Sequence, residues 1–311
     1  MSAQLAGVAP DVRAGQRWRA RQTLKNACIR VAIGGLLRVV DALPAGLVVA
    51  LGRALGRAAR FSKRLNGVAV ENVSHALGVA RAKAVTTACF ANAGEVLART
   101  LLLRREGARP SDFVELDEAA AEQLRSVLRL GRGALVLSAH YGPFEHIAPV
   151  VAEHGITPAI VVRESYDPAL DPVVDAHRLR CGVEVVHRGR EPLGVLGALR
   201  RGRPLGLLVD LPGRVATRPV RFLGHADVPF PLGAASLSAR LAVPVLLGLL
   251  VPRKEGGFRL FFEDLGSDPS ALTQRVAARL DAHIRQYPEH WLWMARPLAR
   301  ARIEGRLRKK A

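Results

Sequence analysis

Short apolar runs and amphipathic segments alternate along most of the chain. Continuous apolar runs are typical of strands buried on both faces, whereas apolar residues that recur every three or four positions are typical of helices. Their alternation predicts the α/β class, with a mixed, mostly parallel sheet flanked by helices. The predicted strands are 113–116, 133–139, 158–162, 183–187, 204–209, 244–251 and 257–263, and the helices among them are 118–130, a helix from Pro143, 170–180, 192–201 and 232–242.

Helical patterns precede and follow this alternating part. Residues 66–105 have helical periodicity, which Gly107 and Pro110 interrupt. No internal repeat or low-complexity linker is found, and 311 residues with 49% apolar side chains are enough for one large core, so we predict a single α/β domain over 65–295. The last predicted helix has an apolar stripe of Leu272, Val276, Leu280 and Ile284.

The first 64 residues are basic and amphipathic, with twelve Lys or Arg and two acidic residues. Arginines recur at helical spacing over 53–64, with apolar residues on the other sides. The apolar tracts 31–37 and 42–52 are shorter than the roughly 18 to 20 residues that cross a bilayer. We therefore predict that residues 1–64 form a membrane-associating region that is monotopic or peripheral, the alternative being ordinary surface helices packed on the domain.

The charge of the chain narrows the choice of partners. Forty-six Lys and Arg against 27 Asp and Glu give a net charge of +19, which favours nucleic acid, an anionic membrane or an acidic carrier protein. The basic residues gather near the amino terminus and in a basic tail, 296–311, without aromatic stacking positions among them. A basic nucleic-acid-binding protein is therefore the less favoured, non-enzymatic alternative. The three cysteines lack the spacing of a zinc site, and no metal is predicted.

Candidate chemistry lies where the stretch 131–146 changes from strand to helix. His140 follows the predicted strand, and Glu145 lies in the first turn of the next helix. A carboxylate across such a turn can hold one imidazole nitrogen while the other takes a proton from a substrate. The sequence therefore predicts a His140–Glu145 general-base dyad. Ser138 is disfavoured as a nucleophile because no Gly-x-Ser-x-Gly elbow is present.

Two more polar residues follow predicted strands, Arg163 after 158–162 and Asp210 after 204–209. The carboxyl ends of parallel strands meet at one crevice, so both should lie near His140. Arg163 there would contact a phosphate or a developing oxyanion, and Asp210 would position a sugar or polar headgroup. A surface ion pair and a loop cap are the respective alternatives.

The stretch His140-Tyr-Gly-Pro-Phe-Glu145 resembles the His-x4-Asp/Glu signature of lysophospholipid and glycerolipid acyltransferases. It is most similar to the late (lauroyl or myristoyl) acyltransferases of lipid A biosynthesis. The likeness covers roughly residues 35–295. Further similar blocks lie in the family's order at Asp41–Pro44, Glu71-Asn72, Val162-Arg163, Arg178–Gly182, Leu199–Asp210, Ala239–Val245 and Tyr287–Trp293.

The resemblance implies O-acyl transfer from an acyl thioester, of acyl carrier protein or CoA, to a hydroxyl of a membrane glycolipid, a lipid A precursor. It implies catalysis by His140 and Glu145, substrate binding by Arg163, Arg180 and Asp210, and no cofactor. The implied partners are acyl carrier protein, anionic membrane lipids and the glycolipid acceptor, at the cytoplasmic face of a bacterial inner membrane. The motif also serves other acceptors, so a lysophospholipid or glycosylated lipid anchor remains the alternative.

Overall fold

A seven-stranded sheet forms the centre of the protein in a computed structural model, which describes residues 20–295 other than 164, 166, 189, 190, 192, 212–214, 267, 269 and 270. The basic tail and the first 19 residues lie outside the described residues. The strands are β1 Val114–Leu116, β2 Ala134–Ser138, β3 Ala159–Val162, β4 Glu184–His187, β5 Pro204–Leu208, β6 Thr217–Phe222, β7 His225–Pro231, β8 Val245–Pro252 and β9 Phe258–Asp264. The helices are α1 Ala20–Ala42, α2 Ala45–Ala59, α3 Lys63–Leu77, α4 Val79–Leu102, α5 Glu118–Leu128, α6 Ile147–Glu153, α7 Asp171–Arg180, α8 Gly194–Arg200, α9 Gly233–Leu241 and α10 Leu272–Gln286.

The strand order is β1-β9-β8-β2-β5-β3-β4. The five strands from β8 to β4 are parallel, whereas β9 pairs antiparallel with β8 and carries β1 parallel to itself. β2 lies in the middle of the sheet, and all five of its residues are buried. The predicted class, a mixed and mostly parallel sheet flanked by helices, is confirmed.

Two local features differ from the predicted pattern. The helical stretch 66–105 is divided into α3 and α4 at Gly78, whose positive φ of 92° ends α3. The hairpin of β6 and β7 was not predicted. Its prolines argue against a central strand, but Pro219 and Pro229 face each other in a two-stranded ribbon, where an unpaired edge tolerates them.

The second helix packs unusually closely on α4. A Cβ atom at Gly56 would collide with the carbonyl oxygen of Phe90, and one at Gly94 would collide with that of Gly52. The two helices therefore touch through their backbones, which only glycine allows here. No helix in the described part of the chain is long and apolar enough to cross a membrane.

The carboxyl-terminal segment is tied to α3 and α4. Asn72 donates from Nδ2 to the carbonyl of Trp293 at 2.8 Å, and the Cys89 thiol lies 3.1 Å from the carbonyl oxygen of Trp291. Both tryptophans are fully buried, and burial raises the pKa of the Cys89 thiol to about 11. These contacts hold Trp291 against the carboxyl ends of the central strands, where it becomes part of the site.

Candidate active site

The pairing of β2 with β5 places His140 beside Asp210. Ser138 and Leu208 are paired in parallel register, and each of the two polar residues lies two positions beyond that pair. The backbone N–H of His140 donates to Oδ2 of Asp210 at 3.1 Å, and Nδ1 of the imidazole lies 2.9 Å from Oδ1. Sheet register, rather than proximity in sequence, therefore supplies the carboxylate that holds the imidazole.

Asp210 is inaccessible to solvent and has a third donor. The indole Nε1 of Trp291 donates to Oδ2 at 2.9 Å. A buried carboxylate with three N–H partners is satisfied as an anion and accepts hydrogen bonds only. Nδ1 of His140 must therefore carry the proton of the neutral imidazole, which leaves Nε2 with its lone pair.

The imidazole of His140 is partly accessible, with 25% of its side chain exposed. No described residue forms a hydrogen bond with its Nε2 nitrogen. Burial alone would lower the pKa of His140, but the hydrogen bond with Asp210 and the negative charges of Asp210 and Glu145 outweigh it and raise the pKa above its ordinary value. The group is suited to accept a proton near neutral pH.

Glu145 does not hold His140 as the sequence predicted. Its carboxylate accepts two hydrogen bonds from Arg178, at 3.0 Å from Nε and 2.6 Å from Nη2, and Nε2 of His177 lies 3.3 Å away. Burial would raise the pKa of Glu145, but these partners lower it to about 2. The physical reason is the bidentate fit of a guanidinium to a carboxylate, which stabilises the buried anion at this position.

Arg178 belongs to a larger buried network. Its Nη1 donates to Asp175 at 2.6 Å, and the other oxygen of Asp175 lies 2.9 Å from Nε2 of His187 at the end of β4. Arg180, and not Arg178, was the predicted substrate-binding residue, and the structure places Arg180 on the exposed side of α7. The spacing 171, 175, 178 would have identified the correct side of the helix, because these positions share one face.

Arg163 follows β3 at the same end of the sheet, as the sequence predicted, but its side chain is exposed. Neither Arg163 nor Arg180 is among the residues that line the cavity beside His140. The structure thus brings His140, Asp210 and Glu145 to one crevice. The two predicted arginines, Arg163 and Arg180, lie outside it.

The turn after β2 shapes the crevice. Gly142 adopts φ +50°, and its N–H donates to the carbonyl of His290 at 2.8 Å. A Cβ atom at Gly142 would press on the ring of Phe258. Phe144 follows and meets the His140 ring edge to face, with the ring centroids 5.0 Å apart. The turn therefore places an aromatic wall beside the imidazole.

A cavity of about 420 Å³ opens beside His140. His140, Glu145 and Arg178 are among its polar lining residues, whereas most of the wall is apolar and comes from three helices. The apolar lining residues are Ile33 and Leu37 of α1, Ala93, Val96, Leu97 and Leu101 of α4, and Val173 and Val174 of α7, with Phe144, Trp291 and Leu292. Such a cavity suits a hydrocarbon chain attached to a polar reacting group.

Comparison with known proteins agrees with this geometry. A family model described as bacterial lipid A biosynthesis acyltransferase matches residues 17–300, which is more than nine-tenths of the chain. No curated protein gives a significant match. With an imidazole that lines a mostly apolar cavity and a family match over nearly the whole length, the chain belongs to the bacterial lipid A biosynthesis acyltransferase family.

Proposed function

We propose that this acyltransferase moves a fatty acyl chain from acyl carrier protein to a hydroxyl of a lipid A precursor. The observation that carries the proposal is the state of His140. Its Nδ1 is held by a buried carboxylate, and its Nε2 is open beside an apolar cavity. A general base next to a hydrocarbon pocket is what acyl transfer to a hydroxyl requires.

In the proposed reaction, Nε2 of His140 takes the proton of the acceptor hydroxyl as its oxygen attacks the thioester carbonyl. A carbon–oxygen bond forms, and the carbonyl oxygen becomes an oxyanion. The intermediate then collapses, the carbon–sulfur bond breaks, and the proton on Nε2 passes to the departing thiolate. The imidazolium that exists in between is stabilised by Asp210.

Glu145 has a supporting part in this proposal. Its negative charge raises the pKa of His140 without a hydrogen bond to it, and it therefore favours the imidazolium. Arg178 keeps that carboxylate ionised and in place. The negative charge of Glu145 thus binds Arg178 and also supports the imidazolium of His140.

Arg163 is proposed to contact a phosphate of the acceptor rather than the oxyanion. Its side chain is exposed and lies outside the acyl cavity, at the carboxyl end of β3. A guanidinium at the rim can bind phosphate in a bidentate manner.

Membrane association is proposed through α1 and α2. Exposed apolar side chains concentrate there, and α1 also contributes Ile33 and Leu37 to the cavity wall. A helix that exposes apolar and basic side chains on its outer side and lines the cavity on its inner side suits an enzyme that meets a lipid substrate at an anionic surface. The exposed residues are Leu24, Ile29, Val31, Leu36, Val39, Leu47, Leu51 and Leu55.

The test uses the purified full chain with a lipid A precursor as acceptor. Acyl carrier protein and CoA, each loaded with the same saturated chain, are compared as donors, and lysophospholipid replaces the precursor in a parallel reaction. Mass spectrometry should show one added acyl group on the precursor with the carrier-bound donor. Transfer only to lysophospholipid, or only from CoA, would contradict the proposal.

Liposome flotation tests the proposed location. The chain should float with anionic liposomes at high salt, because apolar burial adds to charge attraction, and no segment should be protease-protected. Recovery in the soluble fraction at high salt, or a protected fragment, would overturn the monotopic arrangement.

A further inference from the structure

A second concave surface, the cationic groove, lies between α2 and α4. It has a volume of about 670 Å³, and alanine side chains from α4 line much of it. The residues that line it are Arg53, Arg57, Ala80, Lys83, Ala84, Thr87, Ala88, Ala91 and Asn92.

Three cationic side chains line the groove, those of Arg53, Arg57 and Lys83, and Arg60 lies beside it. Arg53 binds Glu95, which also accepts from Arg99 at 2.9 Å. Arg60 donates to the hydroxyl of Thr87 at 2.6 Å and is thereby held along the wall. Arg57 and Lys83 are exposed and form no ion pair with any described residue. The groove therefore presents positive charge that the described part of the protein leaves unmatched, which favours an anionic partner.

The groove adjoins the cavity beside His140, which is called the catalytic cavity below. Asn92 lines both, and its Nδ2 donates to the carbonyl of Glu289 at 3.1 Å and lies 3.3 Å from Nδ1 of His290. His290 in turn lines the catalytic cavity. A ligand seated in the groove would therefore be separated from the cavity by the side chain of Asn92 and its neighbours.

The groove also faces away from the apolar side of α2. Two positions along a helix correspond to about 200° of rotation, so Leu51 and Arg53 point to nearly opposite sides of the axis, as do Leu55 and Arg57. The leucines are 44% and 68% exposed. If the leucine side meets the lipid surface, as proposed above, the groove faces the aqueous phase. Its partner is then soluble rather than a lipid headgroup.

From these observations we infer that the cationic groove docks an acidic, soluble carrier protein, which passes its thioester-bound acyl chain past Asn92 into the catalytic cavity. The inference rests on the proposed function, since it assumes a protein-bound acyl donor. Charge complementarity between the cationic groove and an acidic protein would mainly increase their association rate, and salt would weaken this effect.

The test reverses the two unpaired charges. Arg57→Glu/Lys83→Glu is compared with the wild type and with Arg200→Glu/Arg240→Glu, which makes the same change in net charge at exposed sites on α8 and α9. Each protein is assayed with acyl carrier protein and with acyl-pantetheine as donor, at low and moderate salt. A neutral pair, Arg57→Gln/Lys83→Gln, reports on the groove with less disturbance, and circular dichroism checks that all variants are folded.

We expect the groove variant to raise KM for the carrier-bound donor by about tenfold and to abolish its salt dependence. KM for acyl-pantetheine and for the acceptor should change less than about twofold, and the control pair should resemble the wild type. Equal effects of the groove and control pairs would overturn the inference. A rise in KM for the acceptor alone would also overturn it, because the groove would then bind acceptor phosphate.

Direct binding separates this inference from the proposed function. Acyl carrier protein is titrated against the inactive His140→Ala chain with and without the groove substitutions. Binding that the groove substitutions abolish supports the docking surface even if the wild type transfers no acyl group from the carrier. Binding that they leave unchanged refutes the docking surface even if the carrier is the donor.

Discussion

Asp210 and Glu145 are two ionised carboxylates at one end of the same sheet, but their surroundings differ. Among the described residues, Asp210 has N–H donors from His140 and Trp291 and no arginine partner. Glu145 is neutralised by the guanidinium of Arg178. The negative charge of Asp210 therefore acts on the imidazole, whereas most of the charge of Glu145 is used in its own ion pair.

This difference shows that the chemical role of a carboxylate depends on the groups that contact it. The sequence distance between the carboxylate and a histidine matters less. Glu145 lies five positions from His140, and Asp210 lies seventy positions away. The partly exposed imidazole of His140 is held by Asp210, the carboxylate that has no arginine partner among the described residues. Substitutions at five positions break or sharpen the comparison.

His140→Ala removes the proposed base and should have the largest effect. Loss of a positioned general base reduces the rate by about 10² to 10⁴. The measurement is kcat for acyl transfer by purified protein, with flotation to verify that liposome binding is kept. His154→Ala, at the end of α6, is the control and should be nearly silent. Near-normal turnover by the His140 variant would end the mechanism.

Arg178→Met breaks the buried ion pair and should act mainly on stability. It leaves the buried carboxylates of Glu145 and Asp175 without their arginine partner, which costs about 3 to 5 kcal/mol of unfolding free energy. Arg180→Met, two positions along the same helix but exposed, should change it by less than about 0.5 kcal/mol. Denaturant unfolding measures both, and equal values for the two variants would refute the network.

The same ion pair predicts an acid limit to stability. Because the folded pKa of Glu145 is depressed from 4.5 to about 2, its contribution is complete above the ordinary pKa and is lost as the pH falls towards about 2. In Glu145→Gln this contribution should be missing. Unfolding free energies measured from neutral pH downwards should therefore converge for the wild type and the variant, and a constant gap would contradict the depressed pKa.

Asp210→Asn tests how the imidazole is held and should reduce activity by about 10- to 100-fold, a size typical of removing the partner that orients a functional histidine. The charge that raises the pKa of His140 is lost, while burial, which lowers it, remains. The acid limb of the kcat/KM profile should therefore move to lower pH. Asp227→Asn, on an exposed position of β7, is the control. A lower rate without a shift of the acid limb of the kcat/KM profile would show that Asp210 does not act on His140.

Arg163→Lys should have the smallest effect and should act on one substrate. The lysine keeps the charge but loses the bidentate contact with phosphate, so KM for the acceptor should rise by about three- to tenfold with kcat unchanged. Arg163→Ala should raise it further. Unchanged kinetics in both variants would place Arg163 among the general surface charges.

The fold was predictable because buried strands and amphipathic helices leave periodic patterns, and β2, β5 and β8 occupy nearly the predicted positions. His140 was predictable because a polar residue at the end of a buried strand is conspicuous. Arg178 was missed because Arg180 was selected from its place in a family-like block, whereas the burial of Arg178 depends on which face of α7 packs on the sheet. The hairpin of β6 and β7 was missed because its prolines hide the alternation of a strand.

The sequence by itself determined the α/β class, the position of His140 at the end of a buried strand and the excess of positive charge, since each follows from the type and local order of residues. Only the tertiary structure decided which carboxylate holds the imidazole of His140. Asp210 reaches His140 through the parallel register of β2 and β5, and Arg178 reaches Glu145 from α7. Both choices depend on long-range pairing and burial, because hydrogen bonds to a buried carboxylate are set by which donors the fold brings within reach.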